Sequence, residues 1–231
     1  MRTYAFVFAR GGSKGVPGKN IRELAGKPLL KYSIEQAKEI DAVNKVFVST
    51  EDPDIAAVAR DSGAEVINRP KKLAQDDTPE WLAWQHAIKW LQDRGDHFDV
   101  FLSLPTTSPL RNKEDVKKCL NKLDDGFNFV ITITETNRSP WFNMVQRSDN
   151  GTLSLLMEGN KSYSRRQDVP KAYDMTTVAY VTRPEFIINN KKIWNGRVCG
   201  VKIPPERALD IDIELDWDFV EYMISKSGEN N

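Results

Sequence analysis

Apolar residues along this chain fall into short unbroken runs that alternate with stretches of helical spacing. Residues 4–9 are continuously apolar, the pattern of a strand buried on both faces rather than one. Lys27-Pro28 then opens a segment with Leu29, Leu30, Ile34 and Ala37 at helical spacing. Residues 45–50 read as a second strand. Asp52-Pro53 starts a helix that stops at Gly63, and residues 64–68 form a third strand. Thr78-Pro79-Glu80 supplies an N-cap, a proline at the first helical position and an acidic first turn. That helix is expected to run to about Arg94, with Trp81, Trp84, Ile88 and Leu91 on one face. Strands at 99–104 and 128–134 bracket an amphipathic helix at 113–123.

This alternation implies right-handed crossovers and an α/β fold: a Rossmann-like, mostly parallel sheet flanked by helices on both faces. In such folds a ligand binds beyond the carboxyl ends of the strands. The pattern changes after about Arg138. Two short runs, 142–146 and 153–156, flank the hairpin-turn sequence Ser148-Asp149-Asn150-Gly151. An arginine-rich polar stretch follows at 164–168. Strand patterns resume at 177–182 and 197–203, then comes the acidic run Asp210-Ile211-Asp212-Ile213-Glu214-Leu215-Asp216, and a helix at 217–225 closes the chain. The division expected is a main domain of residues 1–137 and 176–231, interrupted by a small excursion at 138–175.

Composition narrows the class without naming it. The 231 residues carry 33 basic and 33 acidic side chains, which argues against a general nucleic-acid binder. Cys119 and Cys199 are isolated, so neither a disulfide framework nor a zinc site is expected. The first apolar run is too short for a signal-peptide core, and no segment has the roughly 18 apolar residues of a membrane helix. The expectation is a cytoplasmic protein with no membrane and no nucleic-acid partner. His86 and His97, the two histidines, share no metal-ligand spacing.

The chemistry concentrates after the first strand, where residues 10–20 read RGGSKGVPGKN. Four glycines let backbone N–H groups approach a ligand closely, and Arg10, Lys14 and Lys19 add positive charge. At the carboxyl end of a strand this is a sensible triphosphate cradle. The Walker pattern fails, because five residues separate Gly12 from Gly18 and Asn20 follows Lys19; no G-x-G-x-x-G can be placed either. On glycine content alone, a surface loop with solvated lysines fits as well. Asp210 and Asp212 lie two apart, so on an extended segment they face the same side. They read either as a cation site or as an acidic cap for the last helix.

The loop, Ala9-Arg10-Gly11-Gly12-Ser13-Lys14-Gly15 with Lys19-Asn20, resembles the signature of the CMP-N-acylneuraminate synthetase family of acidic-sugar cytidylyltransferases. So do Val48-Ser49-Thr50-Glu51-Asp52, Asn68-Arg69-Pro70, Asp77-Thr78, Thr107-Ser108-Pro109-Leu110-Arg111, Arg166-Gln167-Asp168-Val169-Pro170 and the run at 210–216, in the family's order. The resemblance implies a fold of the nucleotide-diphospho-sugar transferase type and a homodimer built through the excursion. It also implies a reaction in which CTP gives CMP to the anomeric hydroxyl of an acidic nine-carbon sugar and pyrophosphate leaves. Arg10, Lys19 and Asp212 would be catalytic. Arg10, Gly11, Gly12, Ser13, Lys14, Lys19, Asn20, Arg69 and Thr78 would hold the nucleotide. Ser108, Arg111, Arg166 and Thr176 would face the sugar, and Asp210 and Asp212 would bind Mg²⁺. Two segments depart from the family. Pro105-Thr106 stand where a Gln-Pro pair is usual, and Thr176-Thr177 where sialic-acid enzymes carry Asn-Gly. A non-catalytic relative that binds CTP or sugar, and an enzyme for a different acid such as KDO, are the alternatives.

Overall fold

The computed structural model describes residues 1–158, 163 and 165–228; Ser164, the first residue of the arginine-rich stretch, lies outside them. The main sheet has seven strands in the order β11-β7-β10-β6-β1-β4-β5. They are β1 (Thr3–Phe8), β4 (Val43–Thr50), β5 (Glu65–Asn68), β6 (Val100–Ser103), β7 (Phe129–Glu135), β10 (Tyr173–Thr182) and β11 (Val198–Lys202). All neighbours pair in parallel except β10, which runs antiparallel to both β6 and β7. Two small ribbons stand apart: β2 (Glu23–Leu24) with β3 (Lys27–Pro28), and β8 (Val145–Arg147) with β9 (Leu153–Leu155).

The unbroken apolar runs are explained by cover on both faces. Along β1, Ala5 and Val7 join a core with Leu30, Ile34 and Ala37 of α1 (Leu29–Lys38). The helices α2 (Pro53–Asp61) and α4 (Lys113–Asp124) bury Ile55, Val116 and Cys119 in the same core. Tyr4 and Phe6 point the other way, into an aromatic core with Phe47, Phe101, Phe129 and Trp84 of α3 (Glu80–Gln92). A short helix that the hydrophobic pattern did not announce, α5 (Pro184–Asn189), adds Ile187 to that face. Two apolar layers sandwiching one sheet are the ordinary solution for this element order.

Several helix ends follow local chemistry. Asp52 caps α2, accepting from the N–H groups of Asp54 and Ile55 at 2.9 and 3.0 Å. Asn112 and Asp115 form a reciprocal capping box on α4. Thr78 does not cap α3. Pro79 takes the cap position with extended backbone (ψ 132°), and the Thr78 hydroxyl donates to the Lys72 carbonyl at 3.2 Å instead. The closing helix α6 (Glu214–Gly228) is capped by Asp216, whose carboxylate accepts from the N–H groups of Asp212 and Ile213, each at 2.9 Å.

A third, smaller core matters most for the site. Val16, Leu24, Leu29, Ile211, Trp217 and Val220 pack together. They tie the glycine loop, the β2–β3 ribbon, the acidic run and α6 into one unit.

Candidate active site

The carboxyl ends of β1, β5 and β6 open on a cleft of about 400 Å³. Arg10, Arg69, Thr78, Asp210 and Asp212 line it, as do Asp76, Glu80, Thr107 and Thr177. The glycine loop meets it at Arg10. It is no loose surface loop: Val16 is fully buried at its centre, and the backbone turns on Gly18 (φ +63°), with Lys19 N–H bonded to the Val16 carbonyl at 3.2 Å. A side chain at Gly15 would run into the Asp212 carbonyl, and one at Gly11 into the Asp52 carboxylate. Those glycines permit close approach of the loop to its neighbours, whereas Gly12 has open space around it.

Asn20 is buried and holds two walls together. Its amide donates to the Arg10 carbonyl at 3.0 Å, and its oxygen accepts from the Thr106 hydroxyl at 2.7 Å. One departure from the family pattern thus has a structural job: Thr106 braces the glycine loop. Lys19 crosses to the acidic run, donating from Nζ to the Ile211 carbonyl at 2.5 Å. Burial lowers its pKa, against the raising pull of Asp212, Asp210 and Asp216. Arg69 is buried and donates from Nη2 to the Ala9 carbonyl at 3.1 Å and to Glu51 at 3.0 Å, while its Nε has no partner among the described residues. Glu51 also accepts from the Gly11 N–H at 2.9 Å, so that N–H is already committed. Ser13 N–H likewise turns back to the Gly11 carbonyl at 3.2 Å.

Arg10 and Lys14 both pair with Asp76 at the cleft rim, and these two cations hold the Asp76 carboxyl below its usual range. Sequence reasoning missed Asp76, which carries no local signal beyond its place beside Asp77-Thr78. A carboxylate seated on two phosphate-ready cations occupies the place an anionic ligand would take.

The expected sugar residues do not converge. Arg111 is buried away from the cleft. It donates to Ser33 Oγ at 2.8 Å and Gln36 Oε1 at 3.2 Å on α1, and to the Pro105 carbonyl. It braces the 105–111 loop from behind. Thr176 is also buried, bonded to Thr132 Oγ1 at 2.7 Å; its neighbour Thr177 reaches the cleft instead. Ser108 is fully buried behind Thr177, 2.7 Å from its hydroxyl. Arg166 is exposed and donates to the Thr136 carbonyl at 3.4 Å. It lines a different cavity of about 550 Å³, with Arg138 and Lys171, that shares no residue with the cleft.

Asp210 and Asp212 lie on one wall of the cleft, with Asp210 Oδ1 buried and lacking a hydrogen bond of good geometry. Burial, then Asp212, pushes the Asp210 carboxyl up, against the hydroxyls of Thr107 and Thr177. Among the described residues no three or more carboxylate, imidazole or thiol groups gather as a cation site. Two carboxylates, one with an unsatisfied oxygen, are a donor set that suits Mg²⁺, which takes most of its remaining ligands from phosphate and water.

Comparison with known proteins defines the class first. The fold recurs in a CMP-2-keto-3-deoxy-manno-octonic acid synthetase solved with CTP, with a TM-score of 0.72 at 15% identity, over 98% of this chain and 100% of that one. The chain belongs to the cytidylyltransferase family, whose model matches residues 4–215. It is 34% identical over 223 residues to a CMP-N,N'-diacetyllegionaminic acid synthase from Campylobacter jejuni, covering 95% of this chain and 93% of that protein. It is 33% identical over 228 residues to the post-translational flagellin modification protein B of Campylobacter coli, covering 95% and 94%. Among the described residues no helix is long and apolar enough to cross a membrane.

Proposed function

We propose that this enzyme transfers CMP from CTP to the anomeric hydroxyl of a nonulosonic acid. The hydroxyl oxygen bonds to the α-phosphorus as its proton is lost to solvent, the bond from that phosphorus to the bridging oxygen of the β-phosphate breaks, and pyrophosphate leaves with that oxygen. The observation that carries this reading is a cleft lined by Arg10 and Arg69 together with Asp210 and Asp212, with the packing of Val16 against Ile211 and Trp217 and the bond from Lys19 to the Ile211 carbonyl tying the glycine loop to the acidic run. Arg10 and Lys14 exchange Asp76 for the phosphates. Lys19 steadies the acidic wall. Arg69 and Thr78 border the nucleotide end of the cleft, and Asn20 keeps the loop on the β6 side. Asp210 and Asp212 would hold Mg²⁺, which neutralises phosphate charge and lowers the pKa of a nearby hydroxyl.

The relatives' names support a nine-carbon acid over an eight-carbon one. We also read the protein as cytoplasmic and as a homodimer. For the dimer, the support is the β8–β9 hairpin, which exposes Val145, Leu153 and Leu155, none of them part of a core among the described residues. Arg166 belongs to the same excursion, and its distance from the cleft of its own chain suits a residue that serves a partner's cleft. The test is product analysis by mass spectrometry and phosphorus NMR after incubation with CTP, Mg²⁺ and N-acetylneuraminic, legionaminic, pseudaminic or KDO acids. A CMP-ester of a nine-carbon acid is expected. A product from KDO alone would replace the acceptor assigned here.

A further inference from the structure

The acidic run reaches the cleft with no strand or helix to carry it. Between β11 and α6 the chain makes a single short turn at Pro205–Arg207, and residues 208–213 are irregular. Such a backbone needs fixed points if two carboxylates are to stay on one wall. Two are in place. The Ile211 N–H donates to the Thr107 carbonyl at 2.9 Å. Just upstream, Arg207 lays its guanidinium on Asp115, Nε on Oδ2 at 2.8 Å and Nη2 on Oδ1 at 3.0 Å. A fork of this kind fixes orientation as well as distance. Asp115 is fully buried, and its Oδ2 also accepts the Asn112 N–H at 3.3 Å in the capping box of α4. Both fixed points lie on the segment 107–115, which is itself held from α1. Gln36 Nε2 donates to the Pro109 and Arg111 carbonyls at 2.6 and 3.0 Å, and Arg111 donates back to Ser33 and Gln36. Ala208, Leu209 and Asp210 span the gap between the two points, at most about 3.6 Å of chain per residue. Ala208 and Leu209 are packed against the first and third cores, so the Asp210 backbone has little room to move. Neither Asp115 nor Arg207 lines the cleft.

We propose that Asp115 and Arg207 are a positioning pair: their fork, together with the Ile211–Thr107 bond, holds the acidic run where Asp210 and Asp212 face the cleft. This rests on those two carboxylates being cation ligands. Losing the fork frees the backbone before Asp210 and weakens cation binding, although neither member touches cation, nucleotide or sugar.

The experiment measures exchange of the Ile211 amide by NMR on the metal-free full chain, and Mn²⁺ binding by electron paramagnetic resonance with CTP present. Removing Arg207 alone would strand a buried carboxylate, so the pair is neutralised together in Asp115→Asn with Arg207→Met, which keeps an oxygen for the Asn112 N–H. This double variant should speed Ile211 exchange and weaken Mn²⁺ binding, each about tenfold, as for a residue coupled to a site it does not touch. Arg207→Lys keeps a cation on Asp115 but loses the fork; it should shift both in the same direction by about threefold. The KM for the sugar should not move. If the double variant fails to fold, Arg207→Lys decides. A lowered melting temperature with Ile211 exchange and Mn²⁺ binding as in the wild type would overturn the proposal and leave the pair a structural bridge only. Asp210→Asn separates the two layers: if it leaves Mn²⁺ binding intact, the cation reading falls and the positioning role with it. If Asp210→Asn abolishes binding and the Arg207 variants bind Mn²⁺ normally, only the positioning role falls.

Discussion

The glycine loop at residues 10–20 and the excursion at 138–175 are both polar segments interrupting the same sheet, yet they are built in opposite ways. The first hides its single large apolar side chain, Val16, under Ile211 and Trp217. Its polar groups are spent on specific neighbours: Asn20 on Thr106 and Arg10, Lys19 on Ile211. The second leaves Leu153, Val145 and Met175 more than half exposed and holds its hairpin by backbone pairing and exposed polar contacts such as Gln146 Nε2 to Ser154 Oγ at 3.1 Å. A two-stranded ribbon is marginal by itself in water. The lesson is that the glycine loop is locked into its own chain by specific contacts, while the excursion keeps large apolar side chains at the surface.

That contrast can be broken from the cleft side first. Asp212→Ala should lower the rate of pyrophosphate release on the order of a thousandfold or more. Its circular dichroism should be unchanged, because it is the Asp212 backbone N–H, not its carboxylate, that bonds to the Asp216 cap. Retained turnover would remove Asp212 from the chemistry. Gly15→Ala comes next. Its Cβ meets the Asp212 carbonyl, so the loop must shift, and a displacement of about 1 Å is expected to cost about a hundredfold in kcat/KM. A neutral result would show that the loop and the acidic run move apart freely.

The excursion is tested by Leu153→Asp. Burying one leucine at an interface is worth roughly 1.5–3 kcal/mol, so the dissociation constant of the dimer, measured by sedimentation, should rise by about one to two decades. CTP binding to the cleft should stay as it was. If the protein sediments as a monomer before and after the change, the hairpin covers nothing of its own kind. The smallest effect is expected at the rim. Asp76→Asn frees Arg10 and Lys14 for phosphate and should lower the KM for CTP by about threefold, as suits an exposed pair. Weaker CTP binding would mean that Asp76 assists the nucleotide instead of standing in for it.

The sheet and its order of elements were legible because burial on both faces writes continuous apolar runs, and those runs mark the central strands. A cleft at the carboxyl ends was expected from the same order, and one opens there. What did not show was side-chain direction. Arg111 is claimed by Ser33 and Gln36, which lie more than 70 positions away, and Thr176 loses the cleft to Thr177 because a bulge breaks the alternation of β10. Thr78 looked like a cap because Pro79 followed it, but the proline's extended backbone places it one step outside the helix. Val16 offered a usable signal, as the one large apolar residue inside a glycine- and lysine-rich loop. The helix α5, six residues long, is too short for periodicity to register.

The most direct test of the central claim is pyrophosphate release by the wild-type protein with CTP, UTP or GTP, each with and without a mixture of nonulosonic acids. The account predicts release from CTP alone, only when an acid is present, and none after divalent cations are chelated. Equal release from UTP would contradict the nucleotide assignment. CTP binding by calorimetry with no release under any of these conditions would make the cleft a binding site and not a catalytic one.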